Sequence, residues 1–146
     1  MRHITISVAL ITLAVTSCAA TKDQTVDELK SRVESARPED RPVLCLQIAH
    51  QQLSNADKLY NEGKVEQARA AVDDIVTYSE KASASASQTK KHLKNVEIAV
   101  RKISEKLRDI KRTLAFEDQP PVGEAIKRLE EIRTALLKEM FSKEKK

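Results

Sequence analysis

The sequence predicts an all-α protein with a single domain, and three features of its 146 residues support that class. Only two glycines and four prolines occur, so few positions favour a turn over a helix. Charged residues make up 33% of the chain, which suits helices with one apolar stripe and one solvated face. Apolar side chains recur at alternating intervals of three and four residues, the spacing that lines one face of a helix.

The first twenty residues have the organisation of an export signal. A short basic start precedes an apolar stretch over residues 4–15, which is too short to span a bilayer as a helix. Residues 15–18 resemble a bacterial lipobox, which would place a lipid on Cys18, whereas cleavage before Thr21 is the alternative. We therefore expect an exported protein that is periplasmic or held at an envelope membrane by its lipid, and residues 1–20 are left out of the fold prediction.

Residues 21–41 are predicted to contain one short helix followed by a linker. Thr25 and Glu28 have the spacing of a capping box, in which each side chain accepts a hydrogen bond from the other's backbone N–H. Pro38 and Pro42 are expected to end this helix and to start the next, because proline lacks the N–H that a helix interior needs.

A helical, coiled-coil-like domain is predicted for residues 42–142, and its first helix runs from about Pro42 to Glu62. Gly63 follows, and a glycine suits the left-handed conformation that ends many helices. Residues 61–68 resemble the turn of a tetratricopeptide repeat. The resemblance covers one repeat and no second copy follows, so we interpret this segment as an antiparallel helix hairpin.

The central segment predicts one long helix from Lys64 to Leu114, because no glycine or proline interrupts it and its apolar spacing holds for seven heptads. A helix of some fifty residues would be about 75 Å long. Its predicted seam consists of Val65, Ala68, Val72, Ile75, Ser79, Ala82, Ala86, Thr89, Leu93, Val96, Val100, Ile103, Leu107, Ile110 and Leu114. A break within Ala82–Gln88, which would give a compact four-helix bundle, is the alternative, although alanine and serine there do not demand a turn.

A last helix is predicted to start near Pro121, a residue type that suits a first helical turn. Its seam consists of Val122, Ala125, Leu129, Ile132, Leu136 and Met140. If both shorter helices fold back on the long one, they meet end to end over residues 84–94. The predicted fold is therefore a long central helix with two flanking antiparallel helices, a short N-terminal helix and a charged tail at residues 143–146.

The part of the sequence after the signal lacks the patterns of the common enzyme and metal sites. His50 and His92 are its only histidines, and no HxxxH, CxxC or HExxH spacing occurs. We therefore expect no catalytic residue, no metal and no cofactor. Cys45 is interpreted as a small buried apolar residue, with an intermolecular disulfide as the alternative.

The clearest charge feature is a basic segment, Lys90–Arg112, with nine Lys or Arg and three Asp or Glu. Such a segment can face anionic lipid headgroups or another polyanion. Nucleic acid is disfavoured, because the chain is expected to be exported and the segment has no stacking aromatic. The usual explanation of such a segment is solubility and pairing with a neighbouring acidic face, which Glu124, Glu130 and Glu131 of the last helix could supply. The candidate anion-binding residues are Lys91, Lys94, Arg101, Arg108 and Arg112.

These features favour a non-enzymatic helical interaction or scaffold protein of the bacterial cell envelope. Its partner would be another protein or a second copy of the chain, met through helix faces. A lipid on Cys18 would add contact with a membrane surface. The alternative hypothesis is a peripheral binder of anionic lipid or another polyanion, which would use the basic segment Lys90–Arg112.

Overall fold

A computed structural model describes residues 24–142, and the all-α prediction is confirmed. The elements are α1 (Val26–Ser35), α2 (Arg41–Asn61), α3 (Val65–Thr89), α4 (Leu93–Thr113), a 3-10 turn (Phe116–Asp118) and α5 (Gln119–Ser142). The predicted signal with Cys18 and the predicted charged tail at residues 143–146 lie outside the described residues.

The start of α1 follows from its capping box, which is confirmed. The Glu28 backbone N–H donates to the Thr25 hydroxyl, and the Thr25 backbone N–H donates to the Glu28 carboxylate, each at 3.2 Å. Leu29 and Val33, four residues apart on one face of α1, are buried in the common core. This short helix therefore packs against the bundle, chiefly against α2.

The turn between α2 and α3 is the predicted hairpin. Gly63 has a φ of 72°, in the left-handed region where a residue with a Cβ is strained. The Lys64 N–H closes the end of α2 by donating to the Leu59 carbonyl at 2.9 Å. The prediction that Gly63 ends the helix is therefore confirmed, and α2 and α3 share the most extensive helix contact among the described residues.

The prediction of one continuous helix from Lys64 to Leu114 is wrong. The helix ends at Thr89 and resumes at Leu93, and the turn between them lies just beyond the alternative break at Ala82–Gln88. Two residues of this turn are left-handed, Lys90 with φ 56° and His92 with φ 64°. The break falls between consecutive seam positions four residues apart, so three polar residues reverse the chain without disturbing the heptad spacing.

The predicted seam itself faces the core on both sides of the break. Eleven of its fifteen positions are buried, and the remaining four, which flank the turns, are half-buried. The half-buried positions are Val65, Thr89, Leu93 and Leu114. A heptad stripe thus identified the core-facing side chains correctly, although it did not reveal where the helix turns back.

Because α4 turns back, the helices form a compact bundle, in which α2, α3, α5 and α4 surround the core in that order. The predicted end-to-end meeting of two covering helices over residues 84–94 is therefore wrong. Instead, α5 lies beside α3, where Arg128 contacts Glu80 at 2.6 Å. Helix α1 covers the α2–α3 side, where Lys30 contacts Asp74 at 2.7 Å.

Candidate functional site

The structure divides the five candidate anion-binding residues into two groups. Lys91 and Lys94 are exposed, and neither forms an ion pair within residues 24–142. The three arginines each have a carboxylate partner, namely Arg101 with Glu97 at 3.8 Å, Arg108 with Glu130 at 2.9 Å and Arg112 with Asp109 at 3.1 Å. The candidates therefore do not form one continuous, unneutralised stripe along α4.

Two of these arginines belong to an ion-pair network between α4 and α5, formed by Arg101, Glu97, Arg133, Glu130, Arg108 and Ser104. Glu97 is only 8% exposed and accepts a hydrogen bond from the Arg133 guanidinium at 2.8 Å. Glu130 accepts one from the Ser104 hydroxyl at 2.7 Å and one from Arg108 at 2.9 Å. The network therefore joins residues 97–108 of α4 to residues 130–133 of α5.

The network also explains two shifted pKa values. The hydrogen bond from the Ser104 hydroxyl, together with Arg108, lowers the pKa of the Glu130 carboxyl, because both stabilise its charged form. The hydrogen bond to Glu97 raises the pKa of the Arg133 guanidinium. Both charged forms are therefore held by their contacts across the helix interface.

A cavity of about 400 Å³ opens at the α4–α5 turn and brings two of the predicted residues, Arg108 and Arg112, together with Lys111. We call it the α4–α5 turn pocket, and its lining consists of Arg108, Lys111, Arg112, Gln119, Gly123 and Ile126. Lys111 is half-buried and forms no ion pair with any residue from 24 to 142. No carboxylate lines the cavity.

Lys111 was not among the candidates, but Gly123 offered a sequence signal for its position. A Cβ added at Gly123 would lie 3.3 Å from the Lys111 ammonium nitrogen, closer than an ordinary van der Waals contact. Glycine in a helix interior destabilises the helix by about 1 kcal/mol relative to alanine. The absence of a side chain at Gly123 therefore lets the Lys111 ammonium lie against α5.

The same end of the bundle carries an exposed aromatic side chain. Phe116 lies in the 3-10 turn between α4 and α5 and is 85% exposed. The neighbouring Asp118 forms an ion pair with Arg69 of α3 at 3.1 Å. One acidic neighbour of Phe116 is therefore neutralised by a contact inside the bundle.

Another cavity, of about 620 Å³, lies where the α1–α2 turn meets the α3–α4 turn. Arg37 and His92 line it, but so does Asp40, which pairs with Arg37 at 3.2 Å. Arg32 also lines this cavity, so Asp40 compensates only part of its positive charge. It differs from the α4–α5 turn pocket in having a carboxylate in its wall.

The remaining features concern the single described cysteine, metal-binding side chains and membrane-spanning helices. Cys45 is fully buried, as predicted, and burial raises the pKa of its thiol to about 11. Among residues 24–142 no three or more His, Cys, Asp or Glu side chains group closely enough to hold a metal ion. In this same part of the chain, no helix has the length and apolar character needed to cross a membrane.

Comparisons with known proteins gave no relative. No family model, no curated protein sequence and no solved structure matches the chain.

Proposed function

We propose that this chain is a non-enzymatic helical interaction protein of the bacterial cell envelope. The observation that carries the proposal is that Glu97 and Glu130, the carboxylates at the α4–α5 interface, both form ion pairs with arginines. Carboxylates paired with arginines in this way join helices, and their hydrogen-bonding capacity is used inside the bundle. The arrangement favours a scaffold whose function lies on its outer helix faces.

The predicted export signal supports the envelope location, and the start of the described chain is compatible with a lipid tether. The Gln51 amide donates to the Gln24 backbone carbonyl at 3.0 Å, so the chain enters the bundle beside the middle of α2. Six residues from Cys18 to Gln24 can span at most about 20 Å. An acylated Cys18 would therefore hold the bundle close to a membrane surface.

We assign the partner contact to the outer face of α4, defined as Lys94, Ile98, Lys102 and Glu105. The three charged residues are exposed and Ile98 is half-buried between them. An apolar side chain surrounded by polar residues is a common arrangement at the centre of a protein interface. A second copy of the chain or another protein could use this face.

Cross-linking in host cells, followed by purification of the full chain, tests the proposal. We expect a cross-linked species that the substitution Ile98→Glu removes, whereas Ala70→Glu, at an exposed position of α3, should leave it intact. Circular dichroism would verify that both variants stay folded. Equal cross-linking of the two variants would contradict the assignment of this face. The intact mass of the purified chain tests the location separately, and a mass that retains residues 1–20 would contradict the envelope location.

A second candidate function, a peripheral anion binder, is supported by Lys91 and Lys94, the two exposed candidates that form no ion pair with any of residues 24–142. Unneutralised lysines near a membrane attract anionic headgroups, and salt weakens this attraction. Co-sedimentation of the unlipidated chain with anionic vesicles over a salt series provides the test. Absent or salt-insensitive binding would remove this candidate.

A further inference from the structure

We propose that the α4–α5 turn pocket binds the phosphate group of an anionic lipid headgroup, with Lys111 as its central ligand and Phe116 entering the membrane interface. The proposal sharpens the anion-binding candidate, but it uses a different part of the molecule from Lys91 and Lys94. It does not depend on a lipid at Cys18.

The charge of the pocket is the first argument. Arg108 shares its charge with Glu130 and Arg112 with Asp109, so each guanidinium keeps only part of its capacity for a ligand. Lys111 adds a full charge that no carboxylate among the described residues compensates. An arginine can hold an acidic partner and still donate further N–H bonds, because its guanidinium has five donors.

The side chains, rather than a helix end, supply the donors. Pro120 and Pro121 occupy the first turn of α5, and neither has a backbone N–H to offer an anion. One of the two N–H donors of the Gln119 side-chain amide is engaged, since it donates to the Leu114 carbonyl at 3.1 Å. Lys111, Arg108 and Arg112 are therefore the groups that would contact a phosphate.

The position of Gly123 is the second argument. Alanine would stabilise this helical position, yet its Cβ would crowd the Lys111 ammonium. A glycine here keeps the ammonium beside the cavity, with the apolar Ile126 as a further wall. The pocket thus has a polar centre and an apolar edge, which suits a phosphate carried on a lipid better than a fully hydrated free ion.

Phe116 is the third argument, since it marks the same end of the bundle as the pocket. Aromatic side chains insert at the boundary between headgroups and acyl chains, and neighbouring cations contact the phosphates. Ten residues of α2 separate Gln51 from Asn61 at this end, a rise of about 15 Å. A tether of about 20 Å from Cys18 to Gln24 would therefore allow this end to reach the membrane.

The test measures binding of the unlipidated chain starting at Thr21 to phosphatidylcholine vesicles with and without one-third phosphatidic acid. We expect binding only with phosphatidic acid, and Lys111→Gln should weaken it about five-fold. Lys127 is an exposed lysine of α5 that lies outside the pocket, and Lys127→Gln should weaken vesicle binding by about two-fold at most. Phe116→Ala should also weaken binding without a loss of helicity.

Gly123→Ala separates the pocket from general charge and from stability. It leaves the net charge unchanged, and its methyl group would require the Lys111 ammonium to move by a few tenths of an ångström. We therefore expect an equal or higher melting temperature together with weaker vesicle binding. Undiminished binding of this folded variant would overturn the pocket as the site.

Two further outcomes would overturn the proposal, one by moving the binding site and one by changing the source of the anion. If Lys94→Gln weakens binding as much as Lys111→Gln does, the general basic segment binds the vesicles and the pocket proposal is overturned. If inorganic phosphate shifts the nuclear magnetic resonance signals of Lys111 and Gly123 while vesicles do not bind, the pocket takes a free phosphate and the lipid assignment is overturned.

Discussion

The two hairpins of the bundle are held together by different chemistry. The α2–α3 hairpin buries many small side chains, including Ala49, Ala56, Ala68, Ala71, Ala82 and Ala86. The α4–α5 hairpin buries mainly branched aliphatic side chains, including Val96, Val100, Ile103, Leu129 and Ile132, and its edge carries the α4–α5 ion-pair network. The first helix pair therefore mixes small with bulky side chains in its core, whereas the second relies on bulky packing supported by charge.

Because of this difference, we expect the stabilities of the two hairpins to respond differently to pH and salt. Small side chains let helices approach closely, and the resulting dispersion contacts respond little to pH or salt. Ion pairs that are partly buried depend on the charge of each partner, so they respond to acid. We therefore expect the α4–α5 hairpin to be the acid-sensitive part of the bundle.

The largest expected effect comes from a charge in the bulky core of the second hairpin. Val100 is fully buried, and Val100→Asp would place a carboxylate where aliphatic side chains surround it. We expect the free energy of unfolding to fall by at least about 4 kcal/mol, which removes most or all of the stability of a small domain. Urea denaturation followed by circular dichroism measures this change.

The matched control is the same substitution at an exposed valine. Val43 lies in α2 and is 46% exposed, so Val43→Asp should change stability by no more than about 0.5 kcal/mol. Equal losses in the two variants would mean that Val100 does not lie in a packed core.

The second effect is the acid sensitivity of the α4–α5 ion-pair network. Glu130→Gln removes the charge that Ser104 and Arg108 stabilise, and we expect a cost of about 1 to 2 kcal/mol at neutral pH. Because the folded pKa of Glu130 lies below its usual 4.5, its charged form contributes stability above pH 4.5. That contribution is lost as the pH falls through the folded value.

Melting curves from neutral pH down to about pH 3 test the sign of this effect. The difference in stability between the parent chain and Glu130→Gln should be largest at neutral pH and should shrink below pH 4.5. Glu105→Gln is the control, since Glu105 is exposed and has no ion pair within residues 24–142. A constant difference across the series would show that the charge of Glu130 does not support the hairpin.

The core of both hairpins could be predicted from the sequence, because burial follows a local repeat. Ile75 and Val100 occupy the same heptad stripe and both are fully buried. The turn at Gly63 was also predictable, since a positive φ there favours glycine. The turn at Lys90–His92 was not, because neither left-handed residue is a glycine and the seam continues across it.

The candidate site was predictable only in part, because its contacts join separate helices. Arg108 and its partner Glu130 could be anticipated, because the basic helix α4 is followed by a helix that carries Glu130 on a nearby face. The pair of Glu97 with Arg133 could not, because it depends on how α4 and α5 are aligned. The contact of Lys111 with α5 could have been predicted only through Gly123, because a glycine inside a helix, away from any turn, indicates that another group packs closely against it.

The smallest expected effect is the change in stability caused by glycine substitutions in the turn that joins the two hairpins. The sign of this change tests whether the chain turns there. Lys90 and His92 both adopt positive φ, where a residue with a Cβ is strained. Lys90→Gly and His92→Gly should each therefore stabilise the protein, by up to about 1 kcal/mol. In a continuous helix from Lys64 to Leu114, the same substitutions would destabilise by about 1 kcal/mol each, because glycine disfavours a helix interior. Thermal melts of the two variants distinguish a turn at residues 90–92 from a continuous helix by the direction in which the melting temperature shifts. Lys102→Gly, inside α4, is the control and should lower the melting temperature.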